Sequence, residues 1–358
     1  MVSPYEIEEI FPDVAAGSPR PPQRQLGGST AQGLATTLVA DYTVRTRAWL
    51  PSAAVVTLLG DCGVSNGAAR TATSRLGRRG VLESRREGRK SSCRLTPAAA
   101  DELASGGAWI AQFGAAVPSW DGRWTLIAFS LPQAENTHRR ALRGRLRWLG
   151  FAPLYDGVWV SPDTLNPTVQ EGLAAVTLGA MTVFRSRHVE LATATNRNPI
   201  EAWDITAIAG TYETFIQRWK PLLKRVRSER IIGAAAVRAR TEIMDIYRRI
   251  PSLDPQLPVE LMPAGWPRAE AREIFVEIYD RLAEHAQEHV RAVVDRFAPQ
   301  SDVDIRPHTV AEMAATFGRG ARPVGDVDAA PAGDLPRARA ASIPGPAPRT
   351  TGGRRSPA

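Results

Sequence analysis

Apolar residues recur in three different rhythms along this chain, and the rhythm changes near residues 110 and 200. In the last rhythm, Ile205, Ile208, Tyr212, Phe215, Trp219 and Leu222 are spaced by three and four. That spacing predicts an amphipathic helix, which Pro221 should kink or restart. A second long helix is predicted over about 269–297 from Ile274, Ile278, Leu282 and Val293, after the proline-punctuated connection IPSLDPQLPVELMPAGWP. The middle stretch alternates instead. RWTLIAFSLP reads as a buried strand, ENTHRRALRGRLRWLG as a basic helix and FAPLYDGVWVSP as an aromatic strand. PTVQEGLAAVTLG follows as a second helix and AMTVFRSRHVEL as a third strand. That order predicts a small α+β sandwich of the ferredoxin-like kind.

The first rhythm is a helical unit with a hairpin. Ser65 is a natural N-cap for a helix from about Asn66 to Arg79, and Gly80 stops it. At 100° per residue, Ala68, Ala69, Ala72 and Leu76 fall on one side. Arg70, Thr71, Ser74, Arg75 and Arg78 fall on the other. The first side is small enough to pack closely; the second carries donors and positive charge. Before it, PSAAVVTLLGDCG predicts a short helix starting near Ser52 and ending at the Gly60–Gly63 turn, a helix-turn-helix arrangement. After it, VLESRR and SSCRL predict two short strands around EGRK, a wing. A helix of this width fits the DNA major groove, where Arg, Thr and Ser reach base edges. Arg86, Arg89 and Lys90 at the wing tip are placed to hold flanking phosphates.

Charge sharpens this reading. The net charge is +8, but only Lys90, Lys220 and Lys224 among the 45 basic residues are lysine. Such an arginine bias can reflect genome composition, so position is more informative than total. Nine basic residues lie between Ser65 and Leu95, against Glu83 and Glu87. The segment therefore holds nearly the whole net charge.

Length points to two or three domains. The boundaries predicted are a flexible arm (1–30), a winged helix-turn-helix unit (31–104), a joint at ASGGAW (104–109) and a central domain (110–195). A helical domain (200–298) and a tail (299–358) follow, disordered from about 319 on composition. The sequence shows neither a run of about 18 apolar residues nor a secretory signal, which predicts no membrane span and a cytoplasmic location. Cys62 and Cys93 are expected as buried small residues, not as a disulfide or redox pair.

Other constellations are weaker. His285 and His289 lie four apart on one helix but fall short of a metal site, and two imidazoles on an exposed acidic face is the preferred reading. The basic run 139–150 is read as a helix covering the sheet with Leu142, Leu146 and Leu149, with CoA-phosphate binding as the alternative. The Trp and Tyr residues of 155–159 and 203–219 are expected mainly in the core, with the lining of an acyl pocket as the alternative. GxxxxGK(S/T) is missing from the sequence, and the one GxSxG spelling, GVSNG at 63–67, follows a predicted helix and not a strand, so no nucleophile elbow is expected. No cofactor, metal or enzymatic activity is expected.

The stretches VSNGAARTATSRLGRRGVLESRREGRKSSCRLT, FAPLYDGVWVSP, AWDITAIAGTYETFIQRWKPLL and YRRIPSLDPQLPVELMPAGWPRAEAREIFVEIY, in this order, resemble the PaaX-like family of phenylacetate-operon repressors. The resemblance covers about residues 34–297. It implies a multidomain α+β protein with an N-terminal winged helix-turn-helix, a central ferredoxin-like (Cas2-like) domain and a helical C-terminal domain. It further implies a homodimer on palindromic double-stranded DNA, released by an aryl-acetyl-CoA such as phenylacetyl-CoA. The likeness to Cas2 raises a metal-dependent nuclease as a rival, yet RWTLIAFSLP lacks the carboxylates that hold a divalent cation. A DNA-bound scaffold that senses no ligand and meets its partners through the tail is a third reading. The effector's binding residues are not assigned by the resemblance.

Overall fold

The computed structural model describes residues 29–116, 119–130, 142–147, 149–165, 180–190, 197–299 and 303–316, with residues 167, 170 and 173 between. Most of the predicted arm, part of both central helices and the tail beyond 316 lie outside the described residues.

The chain begins with α1 (Ala31–Thr43), capped by Thr30, whose hydroxyl accepts from the amide of Gly33. Leu34, Leu38, Asp41 and Tyr42 are buried, and so are Gln32 and Thr36 on the opposite side of the helix. A helix buried all round has neighbours on every side. Those neighbours are α2 (Ser52–Asp61), α3 (Asn66–Arg78) and, from far along the chain, α6 (Gly233–Tyr247). Strand β1 (Leu50–Pro51) and the hairpin β2 (Leu82–Glu87) and β3 (Lys90–Leu95) form a three-stranded antiparallel sheet in the order β1-β3-β2.

Helix α4 (Pro97–Gln112) has Thr96 as its cap and Pro97 in its first turn. It runs straight through ASGGAW, so the predicted joint is helix interior. Gly107 packs closely: a Cβ there would lie 3.5 Å from the sulfur of Met313.

The central sheet contains β4 (Trp124–Ser130), β5 (Ala152–Tyr155), β6 (Val158–Ser161) and β7 (Ala180–Ser186), ordered β5-β6-β4-β7 with every neighbouring pair antiparallel. This is the strand order of the split βαβ pattern. FAPLYDGVWVSP is a hairpin and not the single strand expected, because Asp156–Gly157 makes a two-residue turn. One face of the sheet packs Ile127 and Trp159 against Leu142, Leu146 and Leu149, as the sequence predicts for those leucines. The other packs Trp124, Leu154 and Val160 against Trp203 and Leu261.

The C-terminal region is helical: α5 (Ile205–Arg227), α6, α7 (Ile250–Leu253), α8 (Arg268–Arg281), α9 (Ala283–Phe297) and α10 (Val310–Thr316). Helix α5 continues through Pro221, which is exposed. The buried stripe therefore keeps helical spacing and passes from Trp219 to Leu223, leaving Leu222 half-buried. The predicted helix 269–297 is two, broken at the buried Leu282. The break lets α8 pack on α5 while α9 packs on α6 and α2.

Two boundaries differ from expectation. Residues 303–316 do not belong to a tail: Ile305, Val310 and Met313 are buried in the core. The units at 31–104 and 200–298 are also not separate, since one continuous core runs from Leu34 through Ala69 and Leu95 to Phe275 and Val294.

Candidate nucleic-acid interface

Helix α3 owes its position to three small choices. The Ser65 hydroxyl accepts from the amide of Ala68 at 3.3 Å and starts it. Gly63 and Gly80 take left-handed backbone, at φ 83° and 72°, on either side. Ala69, Ala72 and Leu76 are buried. Ala68 is exposed, contrary to expectation, because it lies 100° round the helix from Ala69 and off the stripe. Arg70, Thr71, Ser74, Arg75 and Arg78 are all exposed on the opposite face.

The β2–β3 hairpin turns at Gly88, φ 61°, and carries Arg86, Arg89 and Lys90 exposed at its tip. Arg86 Nε donates to the carbonyl of Gly88 at 3.1 Å, which holds that side chain along the turn. Among the described residues, Arg70, Arg75, Arg78, Arg89 and Lys90 form no ion pair or side-chain hydrogen bond. Their charges stand uncompensated on α3 and at the hairpin tip.

The hairpin base is braced by residues the sequence reading did not single out. Glu83 accepts from Arg94 at 2.6 Å and from Arg47 at 3.0 Å. Trp49 lies between two guanidinium groups, Arg85 at 4.6 Å and Arg94 at 4.4 Å from its ring centre. Arg85 also pairs with Glu87 at 3.5 Å. Part of the basic count in this segment is thus committed to its own scaffold. Trp49 lies before β1, where no periodicity marks it, and Arg47 is 36 residues from Glu83.

Elsewhere, His289 Nε2 lies 2.9 Å from Asp61 on α2, so it links helices and does not stand on an open face as expected, while His285 lies 3.8 Å from Glu288. Among the described residues no three His, Cys, Asp or Glu side chains gather as a metal site. In the basic run 139–150, Arg143 pairs with Asp156 at 2.6 Å and Arg147 covers the ring of Trp159. Trp159 is buried and Tyr155 is exposed. Among the described residues no helix is long and apolar enough to cross a membrane.

Three family models match the chain in succession. They are the PaaX-like protein model at residues 30–99, the PaaX central Cas2-like domain at 117–197 and the PaaX-like C-terminal domain at 203–292. The transcriptional repressor PaaX of Escherichia coli is 30% identical over 250 residues, 66% of this chain and 74% of that protein. An uncharacterized protein from Mycobacterium tuberculosis of known structure aligns at 20% identity with a TM-score of 0.49, over 75% of this chain and 99% of its own. The chain belongs to the PaaX-like family, and its central sheet is a Cas2-like domain.

Proposed function

We propose that this protein is a DNA-binding transcriptional repressor in which residues 31–95 act as a winged helix-turn-helix. Helix α3 enters the major groove and reads base edges with Arg70, Thr71, Ser74, Arg75 and Arg78. The hairpin tip holds flanking phosphates through Arg86, Arg89 and Lys90. The observation that carries the reading is the set of exposed, uncompensated cations shared by α3 and the hairpin tip. A solvated basic surface needs no braced hairpin behind it; a surface that must meet a rigid partner does. The name of the Escherichia coli relative supports the same role.

On this reading the protein is a homodimer, joined through the central domain, on a palindromic operator with half-sites about one DNA turn apart. An acyl-CoA-type effector such as phenylacetyl-CoA releases it. The protein works in the cytoplasm, where its DNA is. The test is fluorescence anisotropy of the full chain on the duplex upstream of its own gene, titrated with salt and then with phenylacetyl-CoA. Salt-steep binding far tighter than to random duplex, abolished by the ester, is expected. Binding no tighter than to random duplex would overturn the sequence-specific reading. Tight binding indifferent to the ester would keep the repressor and discard the effector.

A further inference from the structure

Helices α1, α4 and α6 and the segment 303–316 line a half-open cavity of about 100 Å³. Its walls are largely apolar, and Val44, Leu103, Ile110, Met244 and Met313 are among the residues that line it. Arg45 and Glu102 are exposed at its edge. Two polar groups among its lining residues are buried without a hydrogen-bond partner among the described residues, the Thr36 hydroxyl and Nδ1 of His308.

The protonation of His308 follows from its neighbours. The Tyr279 hydroxyl donates its one proton to Oδ1 of Asp41. Nε2 of His308, 3.1 Å from the same hydroxyl, must then be the donor to it. Nδ1 is left as a bare lone pair. Burial first, then the cations Arg240 and Arg45, hold the imidazole down to about 3, so it is neutral at pH 7. A buried acceptor without a donor is costly, and here it belongs to a residue that lines a cavity.

We propose that this cavity is a binding site for a small uncharged molecule. The molecule would have an apolar group no larger than one six-membered ring and a single O–H or N–H that donates to Nδ1 of His308. Size and chemistry agree. An engineered apolar cavity of about 150 Å³ takes up benzene. Met244 and Met313 provide adaptable walls. The nearby cations are already engaged, Arg248 with Asp245 at 2.8 Å and Arg45 with Glu312 at 3.6 Å, so an anionic ligand finds no free counter-ion in them, and a cationic one would leave water for largely apolar walls. Because α1 forms one wall and packs directly on α3, occupancy biases the position of α3. That last step rests on reading α3 as the DNA-contacting helix. A ligand can shift an equilibrium only by its differential affinity for the two states.

The rival occupant is water, which Nδ1 and the Thr36 hydroxyl could jointly bind. Saturation-transfer NMR of the full chain with benzyl alcohol and with toluene separates the two. Saturable binding of both is expected. In His308→Phe the preference for benzyl alcohol over toluene should fall about fivefold, the worth of one neutral hydrogen bond. Gly106→Leu should abolish binding of both, since Gly106 lines the cavity and a Cβ there meets nothing within 4 Å, which leaves room for the larger side chain. Should that variant fail to fold, Ala104→Leu fills the same space. No saturable binding would mean a water site only and would overturn the proposal. An unchanged preference in His308→Phe would overturn the hydrogen bond. Unchanged binding in both cavity-filling variants would place the ring elsewhere. Saturating benzyl alcohol should also move the DNA-binding midpoint by at least about fivefold. Ligand binding without that shift would overturn the coupling alone. Absence of DNA binding would count against the repressor reading and leave the NMR result intact.

Discussion

Arg240 on α6 and Asp41 on α1, 199 residues apart, meet inside the protein with 3.1 Å between Nε and Oδ2. Both side chains are almost fully enclosed, at 0% and 2% exposure. The guanidinium also donates to the carbonyls of Tyr279 and His308 and lies 3.6 Å from the centre of the Tyr279 ring. Burial pushes the Asp41 carboxyl up, while Arg240 and the Tyr279 hydroxyl pull it back towards the charged form. Arg240→Met leaves that carboxyl without its partner and should cost about 3–5 kcal/mol in guanidinium denaturation. Arg240→Lys should not restore stability, because an ammonium cannot reach carboxylate and carbonyls through one planar fork. A loss under about 1 kcal/mol in either variant would contradict this account.

His308 makes stability depend on pH. Its folded value, about 3, lies below the ordinary histidine range. Below pH 6.5 the unfolded chain takes up a proton there and the folded chain does not. The stabilisation is therefore complete above about pH 6.5 and falls, by about 1.4 kcal/mol per pH unit, as the pH drops towards 3. His308→Gln should flatten the slope of unfolding free energy between pH 6.5 and 5 by about one proton. Equal slopes in the two proteins would sink the assignment.

Gly33 marks the closest approach of α1 to α6. A Cβ there would lie 2.8 Å from Oδ1 of Asp245, whose carboxylate is held by Arg248 at 2.8 Å and Arg249 at 3.1 Å. Gly33→Ala would normally favour a helix, but here the clash should win by about 1–3 kcal/mol. Thermal melts of the two proteins decide the sign.

At the proposed DNA surface the two groups of cations should behave differently. Arg89→Ala should weaken binding equally for operator and random duplex and reduce the salt slope by about one. Arg70→Ala and Arg75→Ala should instead reduce discrimination between operator and random duplex by about tenfold or more. Anisotropy titrations at several salt concentrations separate the outcomes. Intact discrimination in both α3 variants would remove that helix from the groove.

The secondary structure of the proposed DNA-facing unit was legible because its determinants are local. Ser65, Gly63, Gly80 and Gly88 act within a few residues of themselves, and Ala69, Ala72 and Leu76 repeat on one helix face. Asp41 and Arg240 are not local, and each alone reads as an ordinary surface charge. Helix α6 was hard to see for a related reason. GAAAVRARTEIMDIY is buried on several sides, so no polar stripe marks its outer face. The segment 303–316 was hidden by the proline-rich stretch around it, though Ile305, Val310 and Met313 enter the core. A chain ended at Gln300 should accordingly lose stability, measured by its melting temperature. A deletion meant to test the tail has to begin beyond Thr316.

The shared core has one more consequence, carried by sulfur. Burial pushes the Cys62 thiol up to about 12 and the Cys93 thiol up to about 11, so neither offers a thiolate at neutral pH. Cys62 caps α2, which packs on α6, and Cys93 sits opposite Leu50 in the three-stranded sheet. Each sulfur can be alkylated only when its own surroundings open. The two alkylation rates, one for each single-cysteine variant, thus become separate clocks for the breathing of the α2–α6 contact and of the sheet.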